Sequence, residues 1–287
     1  MNEPRPSFDP SPTRPALRLP HGACDAHCHI FGPQVRFPFD PRAPFRPADA
    51  PKETLFALHA LLGIERCVIV QSTCHGFDNR VVADAIAAKG GSYLGVALAP
   101  VTVTLDELRR LDVQGFRGLR FNFMKHLGTV APIKPIIALT PLLVELDWHL
   151  QVHCDSSMIA ELTPWLLRSA VPVVIDHMGR VDASLGLAQE PFRALLRLLD
   201  HSHIWVKVSG VDRLSRQGAP YADAVPFART LVERFGDRSL WGTDWPHPNT
   251  PSPPDDGVLT DVLSQIAPSP AQRQALLVDN AQRLYRF

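Results

Sequence analysis

Eight short runs of β-forming residues recur along this 287-residue chain, and stretches with helical spacing separate most of them. The runs fall at about 23–30, 66–71, 93–98, 116–121, 148–153, 172–177, 203–208 and 239–244. Several are continuously apolar, among them Cys67-Val68-Ile69-Val70 and Val171-Pro172-Val173-Val174-Ile175. Such runs suit parallel strands buried on both faces, whereas a sheet with one solvated face would alternate. Pro172 has no N–H to give to a ladder and fits only at a strand start. Segments 52–62, 79–89, 134–146, 157–169, 191–199 and 222–235 have amphipathic helical spacing. Gly63 and Gly236 follow two of them as stops, and Asp155, Ser156 or Ser157 can cap the segment that starts near 157.

Strand–helix alternation repeated eight times within about 260 residues specifies an α/β fold of the (β/α)8 TIM-barrel type, built as a single domain. A doubly wound open sheet is the rival. It calls for a glycine-rich phosphate turn after the first strand, and Gly32-Pro33 stands there instead. The predicted barrel spans residues 21–287. The first 20 residues hold six prolines and no apolar core, so they read as an extended leader rather than a secretory signal. The region 31–51, with six more prolines, reads as a loop over the barrel mouth.

Composition removes several functions. Lys+Arg and Asp+Glu number 29 each, which gives no electrostatic footprint for nucleic acid or an anionic membrane surface. No run of about 18 apolar residues offers a membrane span. Five cysteines, an odd number without a signal segment, point to reduced thiols and a cytoplasmic setting. Nothing in the chain specifies an oligomeric state.

Barrel chemistry gathers at the C-terminal strand ends. Cys24-Asp25-Ala26-His27-Cys28-His29 closes the first strand. The i, i+2 spacing puts His27 and His29 on one face, and it puts Cys24 and Cys28 on the other, under the helices. His177 follows the sixth strand in Ile175-Asp176-His177-Met178-Gly179-Arg180, and His153 ends the fifth. Asp244 ends the eighth in Trp241-Gly242-Thr243-Asp244-Trp245. A carboxylate between tryptophans is costly to bury unless it pairs or reacts. Among imidazoles it can act as a general base, alone or over a metal. Arg120 and Asn122 close the fourth strand on one face, Thr73 follows the second, and Arg213 follows the seventh. Arg120, Arg180 and Arg213 together suggest an anionic substrate, because guanidinium forks onto carboxylates. His27, His29, His177 and Asp244 could also ligate one zinc, with His153 as a further ligand. His21, His59, His149, His201 and His203 lack such placement and read as structural or exposed.

At these residues the chain resembles the amidohydrolase superfamily, and within it the 2-pyrone-4,6-dicarboxylate lactonases. The resemblance rests on His27-x-His29 with Phe31-Gly32-Pro33, then Arg120-Phe121-Asn122-Phe123, Asp176-His177-Met178-Gly179-Arg180 and Trp241-Gly242-Thr243-Asp244-Trp245-Pro246-His247-Pro248. It implies a distorted barrel and hydrolysis of a small anionic lactone, 2-pyrone-4,6-dicarboxylate or a relative. Asp244 would activate water, and His27, His29 and His177 would bind the lactone carbonyl. Arg120, Arg180, Arg213 and Asn249 would contact substrate. The superfamily at large holds one or two divalent metals at the matching positions, and the pyrone lactonases work without one. No cofactor is therefore expected, with a one-zinc decarboxylase as the alternative. The chain departs from the lactonase pattern at three places. The second arginine falls on His126, and two aromatic hydroxyl positions fall on Phe45 and His153. The carboxylate-binding shell is thus altered around an intact His–Asp core.

Overall fold

A computed structural model describes residues 6–124, 127, 131–250 and 252–287. Its strands are β1 (Cys24–Cys28), β2 (Arg66–Val70), β3 (Tyr93–Ala97), β4 (Phe116–Phe123), β5 (His149–Cys154), β6 (Val173–Ile175), β7 (Ile204–Lys207) and β8 (Ser239–Leu240). They form one parallel sheet in sequence order. The two ends of the sheet meet. Ala26 N–H donates to Trp241 O at 2.8 Å, and Asp244 N–H donates to His27 O at 2.8 Å. The result is the distorted (β/α)8 barrel expected above.

The helices are α1 (Lys52–Leu62), α2 (Arg80–Ala87), α3 (Leu105–Val113), α4 (Ile133–Val144), α5 (Ile159–Leu166), α6 (Glu190–Leu199), α7 (Val211–Leu214), α8 (Val225–Phe235) and α9 (Asp256–Asp261), followed by short helical turns that end in Asn280–Tyr285. Strand alternation sorts the apolar residues into two clusters. Cys67, Ile69, Leu119, Leu150, Val152, Ile175 and Val206 face outward into the layer shared with the helices. Val68, Val70, Leu94, Val96, Val174, Trp205 and Leu240 face inward, where Ala281, Leu284 and Tyr285 plug the floor of the barrel. Above that apolar floor the barrel axis turns polar. Arg120, Gln151, Asp176 and Lys207 are all buried there.

β1 departs from simple alternation. Asp25 pairs with Cys67 and Cys28 with Ile69, so three residues on β1 oppose two on β2, a bulge. Asp25 turns outward to His59 Nε2 at 3.2 Å, while His27 turns inward. Cys28 lies in the outer layer as expected, but the bulge moves Cys24 into the inner cluster, contrary to the alternation argument. All five cysteines are buried free thiols.

Other differences have local causes. β6 and β8 are shorter than the runs that marked them, because the chain turns out of the sheet at Asp176 and Trp241. Gly242 makes the second turn possible: a Cβ there would stand 2.4 Å from the His27 nitrogen. α3 was not anticipated, although Thr104 and Glu107 form a capping box at its start. Residues of the leader touch the barrel. Leu17 N–H donates to Asp261 Oδ1 at 2.8 Å, and the Phe8 ring packs against Trp245 with centroids 5.1 Å apart and planes tilted by 44°. Among the described residues no helix is long and apolar enough to cross a membrane.

Candidate active site

Seven strand ends contribute to one cavity of about 270 Å³ at the C-terminal mouth. His29, Ser72, Thr73, Arg120, His153, His177, Arg180, Arg213, Asp244 and Asn249 line it, with Phe45, Leu127 and Pro248 at the rim. Its size suits a small molecule. Several of these side chains are aimed by unusual backbone. His177, Arg180, Asp244 and Asn249 have φ of 49°, 56°, 63° and 62°, left-handed values that cost non-glycine residues about 1–3 kcal/mol each. The rest of the fold holds them there, and functional groups are where such strain concentrates.

Asp244 is the centre. Its Oδ1 lies 3.3 Å from His29 Nε2, 3.6 Å from His27 Nε2 and 3.7 Å from His177 Nε2. Its Oδ2 accepts from Arg213 Nε. Arg213 is itself held by the Pro248 carbonyl at 3.0 Å. Burial pushes the Asp244 carboxyl up, but the Arg213 guanidinium together with the surrounding His177, His29 and His27 holds it well below the usual carboxylate range. Burial pulls His177 far below its usual value and His27 down to about 3, the latter with help from Lys207. The arrangement is an ionised carboxylate among imidazoles, with His27 and His177 neutral, able to take a proton from water.

A second polar layer supports the first. Asp176 accepts from Arg120 Nε at 2.9 Å and from Gln151 Nε2 at 3.1 Å. Lys207, fully buried, donates to Ala26 O at 2.8 Å and Gln151 Oε1 at 2.9 Å, and approaches His27 Nδ1 at 3.2 Å. His29 Nδ1 donates to the Val70 carbonyl at 2.7 Å, and His177 Nδ1 meets Ser209 Oγ at 3.0 Å. His153 Nδ1 donates to Asn122 Oδ1 at 3.0 Å. This contact draws Asn122 to the mouth without placing it on the main cavity wall; it lines an adjoining hollow with Thr73 and Arg120.

The structure therefore brings together His29, Thr73, Arg120, His153, His177, Arg180, Arg213, Asp244 and Asn249, with His27 directly beneath. His126 lies outside the described residues. Asp176, Gln151, Lys207, Ser72 and Ser209 were not singled out in the sequence. Lys207 carried a signal: a lysine inside Ile204-Trp205-Val206-Lys207-Val208 must be buried with partners. Arg180 carries another. It lines the cavity with no carboxylate in ion-pair distance among the described residues, and burial lowers it to about 10.

His27, His177 and Asp244 offer ligand atoms within 4.8 Å of one another, so distance admits one divalent ion. Charge opposes it. Arg213 already neutralises Asp244, and Lys207 stands against His27, so an added dication would face two resident cations. The donor set fits a metal by spacing and disfavours it electrostatically.

Comparison with known proteins agrees with this geometry. The Amidohydrolase (Amidohydro_2) family model matches residues 24–287. A 2-pyrone-4,6-dicarboxylate hydrolase of Comamonas testosteroni is 44% identical over 285 residues, covering 96% of this chain and 93% of its own. A 4-sulfomuconolactone hydrolase of Rhizobium radiobacter is 40% identical over 274 residues, covering 94% and 92%. A crystal structure from Acinetobacter baumannii, described as a probable 2-pyrone-4,6-dicarboxylic acid hydrolase with citric acid bound, superposes with a TM-score of 0.83 at 26% identity, covering 93% of this chain and 100% of that one.

Proposed function

The chain belongs to the amidohydrolase family, and from that premise we propose that it is a hydrolase that opens a small carboxylated lactone with water. One observation carries the reading: an ionised Asp244 surrounded by three imidazoles shares its cavity with Arg120, Arg180 and Arg213. Asp244 takes a proton from water as the oxygen attacks the ring carbonyl. An Nε2–H on His27 or His177 stabilises the oxyanion that forms. As the intermediate collapses, the acyl–oxygen bond of the ring breaks, and Asp244 returns its proton to the departing oxygen. The product is an open-chain acid.

Substrate carboxylates meet Arg180 and the face of Arg120 not engaged by Asp176. On the same cavity wall are Asn249 and the Nη2 of Arg213, which has no hydrogen-bond partner among the described residues. The names of two relatives fit such a ligand, since both describe hydrolases of acidic lactones. 2-Pyrone-4,6-dicarboxylate or a related lactone is the substrate class. Phe45 and His153 stand where hydroxyls occur in the family pattern, so the preferred lactone differs in how its second anionic group is held. The reaction proceeds without metal, in a cytoplasmic enzyme. A zinc-dependent decarboxylase would use the same His27, His177 and Asp244, and the spacing of these ligand atoms is what favours it.

A panel of acidic and neutral lactones, assayed for acid release with and without chelator, tests the reading. Acidic lactones should be opened equally in both conditions. Arg180→Met should lower kcat/KM for acidic lactones by about 10–100-fold, the scale of a lost charge-assisted hydrogen bond of about 1.5–3 kcal/mol, and leave neutral ones nearly unchanged. Equal losses for both classes would make Arg180 structural. Activity lost on chelation and restored by zinc, with carbon dioxide released, would favour the decarboxylase.

A further inference from the structure

Lys207 lies on β7 at the polar waist of the barrel, and no step described so far uses it. An ammonium has three N–H donors and no lone pair. Three acceptors surround it at hydrogen-bond distance: Ala26 O at 2.8 Å, Gln151 Oε1 at 2.9 Å and His27 Nδ1 at 3.2 Å. Asp176 Oδ1, at 3.8 Å, lies beyond that distance. Each donor thus has one acceptor, and at the third contact the imidazole nitrogen must accept.

A neutral imidazole has one bare nitrogen and one N–H. If Nδ1 of His27 accepts from Lys207, the ring proton is on Nε2. That atom is buried, has no hydrogen-bond partner among the described residues and points toward Asp244 at the cavity floor. The opposite tautomer has a ready partner, because Asp176 Oδ1 stands 3.3 Å from His27 Nδ1. That contact is not aligned as a hydrogen bond, however, and Asp176 Oδ1 has no aligned partner among the described residues, whereas the Lys207 ammonium can only donate to Nδ1.

We propose that Lys207 is a positioning residue that holds His27 in its Nε2–H tautomer, so that this imidazole donates to the carbonyl oxygen under attack. The inference rests on the lactonase reading for its catalytic consequence, but not for the tautomer. With the proton on Nε2, His27 stabilises an oxyanion; with the proton on Nδ1, a lone pair would face both that oxyanion and Asp244. The same proton occupies the nitrogen that a metal would need bare.

Nitrogen-15 NMR of histidine-labelled resting protein reads the tautomer directly, with His27→Gln to assign the ring. The wild-type spectrum should show His27 protonated at Nε2. In Lys207→Met the proton should move to Nδ1, facing Asp176, while kcat falls on the order of 100-fold and KM changes little. Lys207→Gln, which keeps an N–H donor, should retain the Nε2–H form and recover part of kcat. A wild-type His27 protonated at Nδ1 or at both nitrogens would overturn the proposal, and so would an unchanged tautomer in Lys207→Met. If Lys207→Met does not fold, the wild-type and Lys207→Gln spectra decide. Failure to open any lactone would refute the lactonase reading and leave the tautomer test standing.

Discussion

Replacing Asp244 with asparagine should lower kcat by on the order of 10²–10⁴ while the protein stays folded, the usual scale for loss of a general base. Asparagine keeps the shape of the side chain and an oxygen for Arg213, and Arg213 keeps its contact with the Pro248 carbonyl. What disappears is the ability to accept a proton from water. The wild-type pH profile should carry the same signature. Burial raises the Asp244 carboxyl, but Arg213 and the surrounding imidazoles together hold it well below the ordinary carboxylate range. The base therefore stays ionised at pH about 4, where an unperturbed carboxyl with a pKa of about 3.9 would be roughly half protonated, and kcat should not yet have fallen there. Steady-state kinetics beside a thermal melt checks both points. Near-normal turnover in a folded Asp244→Asn protein would place the base elsewhere.

Arg120→Met should reduce stability by about 3 kcal/mol and nearly abolish activity on acidic lactones. The two losses share one cause. Arg120 Nε donates to Asp176 at 2.9 Å, both side chains are buried, and the guanidinium also lines the cavity. Removing one member of a buried ion pair leaves a charge without its partner, typically at a cost of about 3–5 kcal/mol. The lower end applies because Gln151 and Lys207 still face Asp176. Denaturant unfolding of the variant beside wild type gives the stability change. A change under about 1 kcal/mol would mean that Asp176 does not depend on Arg120 for its charge.

The sequence carried the barrel well because parallel strands buried on both faces leave continuous apolar runs such as Cys67-Val68-Ile69-Val70. It carried the catalytic face well where chemistry-bearing residues end those runs, as at His27, His29, His153 and His177. It failed where geometry depends on residues distant in sequence. The β1 bulge, which redirects Asp25 and Cys24, is set by pairing with β2 and by His59 and Thr243, not by local composition. Asp244 was placed at the end of a strand but sits in the turn beyond it, at a left-handed φ that no pattern of apolar residues encodes. Lys207 was visible as a misfit in an apolar strand. Its meaning lay in three partners from β1 and β5 that only the closed barrel assembles.

The central claim is that Asp244-activated water attacks the lactone carbonyl. Single-turnover ring opening of an acidic lactone whose ring oxygen sits on a saturated carbon, so that the released hydroxyl cannot exchange, in water enriched in oxygen-18, followed by mass spectrometry of the product, tests it most directly. Attack at the carbonyl places one labelled oxygen in the newly formed carboxylate and none on the carbon that bore the ring oxygen. Label on that carbon, or ring opening without incorporation of label, would contradict the account.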